Sequence, residues 1–168
     1  YGDITIESLT LNYTVYVETN VETITLDNSS KGSSTTSTLT FQHSIGSGSN
    51  RILIVGVAWE DSTDGKTVTG VTYDGNSLTK IADEYTHRSG ATNAYAWLGY
   101  LLEADLPSSG SHNVVVTASA DPSGTIFGYA TSFFGVKQTA PDAYDTDYHT
   151  DSTPCVATVT SAADGSVG

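Results

Sequence analysis

The sequence predicts an all-β fold, an antiparallel β-sandwich or jelly roll of about nine to eleven short strands. Three observations predict it. Apolar and polar residues alternate with period two in segment after segment. Turn signals built from Gly, Asn, Asp, Ser and Pro separate those segments at intervals of about 8–15 residues. Ser, Thr, Gly and Asn carry most of the polar surface, helix formers are scarce and there is no Met, a composition that favours strands and turns.

Residues 3–18 (DITIESLTLNYTVYVE) open the pattern, with Ile4 and Ile6 on one phase and Leu9, Leu11, Tyr13, Val15 and Val17 on the other. The change of phase near Glu7 and Ser8 predicts a β-bulge or a junction of two strands. Residues 22–27 and 37–42 repeat the alternation, and NSSKGSSTTS between them reads as a polar loop. After the turn SIGSGSN, residues 51–59 (RILIVGVAW) form a continuous apolar run, expected to be a strand buried on both sides. TVTGVTYDGNSLTKI reads as strand, Asp74-Gly75 turn and strand, a hairpin signal.

The apolar density of 93–103 (NAYAWLGYLLE) would suit a helix, but Tyr95, Trp97, Tyr100 and Gly99 suit a central strand better. HNVVVTAS (112–119) and GTIFGYATSFFGV (124–136) are further strands, and Gly128 marks a close backbone approach. An Asp-rich polar stretch covers 138–153, and PCVATVTS makes a last strand.

With 168 residues, the chain suits one domain, 1–168, large enough to hold a core without disulfide or metal. Residues 1–20 are set apart as a terminal strand that either pairs within its own sheet, over residues 3–18, or adds to a neighbouring subunit's sheet. The second arrangement is donor-strand exchange, and a head-to-tail contact of this kind builds a filament.

Nineteen acids stand against six bases, for a net charge of −13. Such a surface repels phosphate backbones, so nucleic acid and anionic membrane surfaces are expected to be poor partners, and no nucleic acid is expected. No stretch approaches the length of a membrane span, so no membrane insertion is expected. Cys155 is the only cysteine, which rules out an intrachain disulfide and C-x-x-C redox chemistry. A small buried hydrophobe is its expected role. The chain is expected to be a mature or trimmed product whose targeting segment has been removed.

Four pieces, RILIVGVAWED (51–61), VTGVTYDGNSLTKI (68–81), AWLGYLLEADLPSSGSHNVVVTAS (96–119) and ATSFFGVKQTAPD (130–142), stand in an order spanning about half the chain. In that order they resemble a Ser/Thr-rich β-sandwich domain of secreted and cell-surface proteins of bacteria, archaea and some phages. The resemblance implies an extracellular location and an adhesion, appendage or carbohydrate-associated role. It brings no catalytic residue set. It also implies a further apolar strand after the VATVTSAADG segment.

Enzymatic chemistry is not expected. His43, His87, His112 and His149 offer bases among many hydroxyls, but no G-x-S-x-G elbow presents a nucleophile. Glu60 and Glu103 are the acids nearest aromatics and read as strand ends entering solvent. Phosphate-binding loops and zinc-ligand spacings are absent.

Ca²⁺ is the candidate cofactor, because it takes hard oxygen ligands from acidic loops. Glu60, Asp61 and Asp64, followed by Gly65, offer one such loop, and Asp142, Asp145, Asp147 and Asp151 offer another. Tyr85, Tyr144 and Tyr148 lie in polar stretches and are the candidate ligand-binding rings, since an aromatic face covers the apolar face of a sugar. Tyr95, Trp97, Tyr100 and Tyr129 are expected in the core or in cross-strand pairs. Asn12 (N-Y-T) and Asn28 (N-S-S) fit the glycosylation sequon. The function that follows is a non-enzymatic structural or adhesive module of a cell-surface assembly, self-associating as a homopolymer. The alternative is a carbohydrate-binding module of a larger secreted protein that holds surface glycans.

Overall fold

A computed structural model describes residues 23–63, 65–86, 93–146 and 158, the side chains of 84–86 excepted. The strand expected over 3–18, the exchange segment 1–20 and nearly all of the strand expected over 154–161 lie outside the described residues.

The described residues form two antiparallel sheets packed face to face. One has the order β1 (Thr25–Ser34), β9 (Ile126–Phe134), β3 (Ile52–Asp61), β7 (Asn93–Leu102), β6 (Thr79–Thr86). The other has the order β2 (Thr38–Ile45), β8 (Gly110–Ala118), β4 (Val68–Tyr73), β5 (Asn76–Ser77). Apart from one 3-10 turn at Glu103–Asp105, no helix occurs among the described residues.

Period-two hydrophobicity decides which face goes inward. Leu39, Phe41 and Ile45 from β2 and Val114 and Val116 from β8 meet Leu53, Val55, Val57 and Trp59 from β3 and Tyr95, Trp97 and Leu101 from β7. Trp59 and Tyr95 stack with ring centroids 4.3 Å apart, a pairing worth about 0.5–1.5 kcal/mol beyond the area it buries. Gly128 lies at a close approach of the two sheets, as expected. A Cβ there would stand 2.7 Å from Phe41 and 2.8 Å from Leu39.

Three expectations need correction. The polar loop assigned to NSSKGSSTTS is largely strand: β1 pairs with β9 from Thr25↔Phe134 through Ser34↔Ile126. Its strand state comes from a backbone ladder offered by a partner distant in sequence, so it needs no apolar stripe of its own. β3 is fully buried on one face; on the other Ile52 is buried, while Ile54, Gly56, Ala58 and Glu60 run from half-buried to exposed. The Asp74-Gly75 hairpin forms, with both turn residues at positive φ, but its returning arm pairs over only Asn76 and Ser77. Then Leu78, half-buried against the core, carries the chain into the other sheet as β6.

The ambiguous segment 93–103 is a central strand. β7 pairs on one side with β3, from Ile52↔Leu102 to Asp61↔Asn93, and on the other with β6.

Candidate functional site

The outer face of the five-stranded sheet carries the most distinctive surface among the described residues. In register, Lys31, Tyr129, Gly56, Leu98 and Ala82 cross the sheet from β1 to β6. A neighbouring row carries Phe127, Ala58 and Ala96. The small side chains on the two central strands leave a trough of about 350 Å³, bordered by Tyr129, by Ile81 to Asp83 of β6, and by Tyr144, Asp145 and Thr146.

Four large apolar groups there stand in solvent: Tyr144 is 63% exposed, Tyr129 53%, Phe127 46% and Leu98 39%. A concentration of exposed rings and aliphatic groups on one face is the mark of an interaction surface. The rim is acidic. Asp83 is held below the ordinary carboxylate range, chiefly by its bond from Lys80, while partial burial opposes that shift. Asp83 also accepts a bond from the Tyr95 hydroxyl at 3.1 Å. Asp145 accepts the Thr146 N–H at 2.9 Å and the Thr158 N–H at 2.7 Å.

Tyr129, expected in the core or a cross-strand pair, is therefore a surface ring. Strand phase explains the difference: Ile126, Gly128 and Ala130 face inward, so Phe127 and Tyr129 face out. Tyr144 is exposed as expected. Tyr85 falls in β6, register-paired with Tyr95, and Tyr148 lies outside the described residues.

No family model, curated protein or solved structure matches this chain. What the domain does has to be argued from its own geometry.

The acidic loop candidates fall as follows. Asp61 is buried, and its carboxylate accepts bonds from the Thr63 N–H and hydroxyl, the Lys66 ammonium, and the Ser123 N–H and hydroxyl. Burial alone would raise its pKa, yet the Lys66, Thr63 and Ser123 bonds outweigh it and hold the carboxyl far below its ordinary value. Glu60 points to the opposite, exposed face. Asp142 and Asp145 are exposed, while Asp64, Asp147 and Asp151 lie outside the described residues. Among the described residues no three His, Cys, Asp or Glu side chains gather as a metal site. Glu103 is tied to Arg51 at 3.2 Å and accepts the Asn50 N–H at 2.6 Å, bracing the loop before β3.

Asn12 lies outside the described residues. Asn28 sits on β1, and its amide donates to the Ser44 carbonyl at 3.1 Å, across to the other sheet.

A second constellation was missed by the sequence reasoning. His43, 1% exposed, lies between two serines: Ser30 Oγ is 2.9 Å from Nδ1 and Ser132 Oγ is 3.0 Å from Nε2. Ser132 in turn donates to Asp27 at 2.7 Å, and Asp27 also accepts the Gly46 N–H at 2.9 Å. Since Ser132 spends its hydrogen on the carboxylate, it accepts from Nε2–H, which leaves Nδ1 to accept from Ser30. The network thus assigns the neutral Nε2–H tautomer. The signal for His43 was present, because it shares the buried phase of Leu39, Phe41 and Ile45. Its partners come from β1 and β9 and could not be read from spacing.

Proposed function

We propose that this chain is a non-enzymatic extracellular adhesive domain that holds neutral surface glycans on the outer face of its five-stranded sheet. The observation that supports this reading is the trough between Tyr129 and Tyr144, with small side chains on its floor and carboxylates at its rim. An exposed tyrosine ring offers a flat apolar plate with a polar tip, which suits the C–H face and the hydroxyls of a pyranose. Asp83 and Asp145 add acceptors for sugar hydroxyls. The net charge of −13 disfavours anionic polymers and leaves neutral ones. The resemblance to adhesion and appendage domains points the same way. Strand exchange through residues 1–20 would array this face along a filament, so that weak single-site contacts add up through avidity.

Affinity electrophoresis through gels containing neutral or anionic polysaccharides tests the reading. The domain should be retarded by at least one neutral polysaccharide and by no anionic one. Tyr129→Ala and Tyr144→Ala should each weaken retention by roughly 2- to 10-fold, the equivalent of about 0.5–1.5 kcal/mol per stacking ring. Migration unchanged on every neutral gel, or retention indifferent to both substitutions, would overturn it.

A further inference from the structure

The strand β1 is attached to the sandwich in an unusual way. No side chain of β1 belongs to the apolar core. Its inward-facing positions include Ser30, against His43, and Gly32, against Phe41. At the register shift between Leu26 and Asn28 the bulged residue is Asp27, and its carboxylate reaches Ser132 on β9 and Gly46 beyond β2. A bulge commonly re-aims a side chain in this manner. What ties β1 to the opposite sheet is therefore largely polar: the Ser30–His43–Ser132–Asp27 chain and the bond from Asn28 to Ser44.

We propose that this buried chain is a proton-sensitive latch, which locks β1 onto the sandwich at neutral pH and releases it in mild acid. A neutral imidazole satisfies every bond in the chain. An added proton on Nδ1 turns that atom from acceptor to donor, breaks the polarity of the chain and leaves a buried cation. Among the described residues, few charged groups stand near enough to stabilise it. Asp27 on β1 lies one hydroxyl away and partly offsets the cost of burial, which nonetheless wins and lowers the His43 pKa below 6.5. Tyr73 on β4 packs edge-on at 6.0 Å and donates to the His43 carbonyl at 3.0 Å. Behind Tyr73 stand His112 of β8, whose Nδ1 lies 3.3 Å from an Asp74 carboxylate oxygen, and Arg51, whose charge acts on Tyr73. Ser132, from β9, brings no charge.

Because the folded pKa is the lower one, the open state binds more protons, so the latch is intact above pH 6.5 and weakens as pH falls below it. One linked proton raises the opening constant by up to about tenfold per pH unit in that window. Opening β1 would bare the edge of β9 to another strand.

Hydrogen exchange of the whole chain, corrected for intrinsic chemistry, supplies the test. Amides of β1 should exchange faster below pH 6.5, approaching that slope, while β3 and β7 stay protected. In His43→Gln the acid response of β1 should disappear, and in His112→Gln it should persist. Should His43→Gln fail to fold, the His43 ring resonance of the unaltered chain must titrate over the range in which β1 opens. Unchanged β1 exchange in acid, an acid response kept in His43→Gln or lost in His112→Gln, or a ring neutral throughout opening would each overturn the proposal.

Discussion

At the scale of single residues, buried polar groups decide most of what is specific here. Asp61 continues the inward phase of Val55, Val57 and Trp59, so the strand delivers a carboxylate to the interior end of the sandwich. There it pins the β3–β4 loop, through Thr63 and Lys66, to the β8–β9 loop, through Ser123. Asp61→Asn should cost about 1–3 kcal/mol, because a buried amide offers one acceptor oxygen where the carboxylate offers two to the Thr63, Lys66 and Ser123 donors; urea denaturation reads the loss directly. Since the folded pKa is depressed, the carboxylate's stabilising contribution is complete above 3.8 and lost only as pH falls below it. The inward phase was readable in the sequence. Read from the sequence, Asp61 is a candidate calcium ligand or part of a solvated acidic loop, because period alone does not show that Lys66 and Ser123 fold back onto it.

Among the elements, turn chemistry is what local sequence states most clearly. Asp74 and Gly75 hold φ values of 51° and 82°, the left-handed pair that a two-residue hairpin requires. A side chain at Gly75 would meet open space, so Gly75→Ala should cost only the conformational penalty, about 1–2 kcal/mol, measured as a shift in the unfolding midpoint without loss of fold. The length of the hairpin's second arm was not legible, for the chain leaves the sheet at Leu78, which packs half-buried against a core built from residues distant in sequence. β1 is the converse case. Its Ser and Gly residues carry a turn-like signature, yet a complete ladder to β9 makes them a strand. Propensity loses to pairing wherever a tertiary partner supplies the hydrogen bonds.

For the molecule as a whole, charge and layering dominate. Nineteen acids and six bases on one domain repel one another more in the compact state than in the expanded one. Stability should therefore rise with salt as screening shortens the reach of that repulsion to about 8–10 Å. Thermal unfolding from low to near-physiological ionic strength would show it, and a falling midpoint would mean that attractive pairs such as Lys66–Asp61 outweigh the net repulsion. On the proposed reading, the same surplus would make the outer face favour neutral ligands over anionic ones, since carboxylates stand at the rim of its apolar trough.

By itself the sequence determined the all-β sandwich, the strand character of its apolar segments, the tight turn at Asp74-Gly75 and the acidity of the surface. These follow from side-chain periodicity, local backbone chemistry and a count of charges, which depend only on near neighbours in the chain. Tertiary structure decided that β1 is a strand, that the trough forms around Tyr129, and that His43 lies between Ser30 and Ser132. Each of these depends on strand order, which brings residues about a hundred positions apart into one register, and no local pattern encodes which strands will be neighbours.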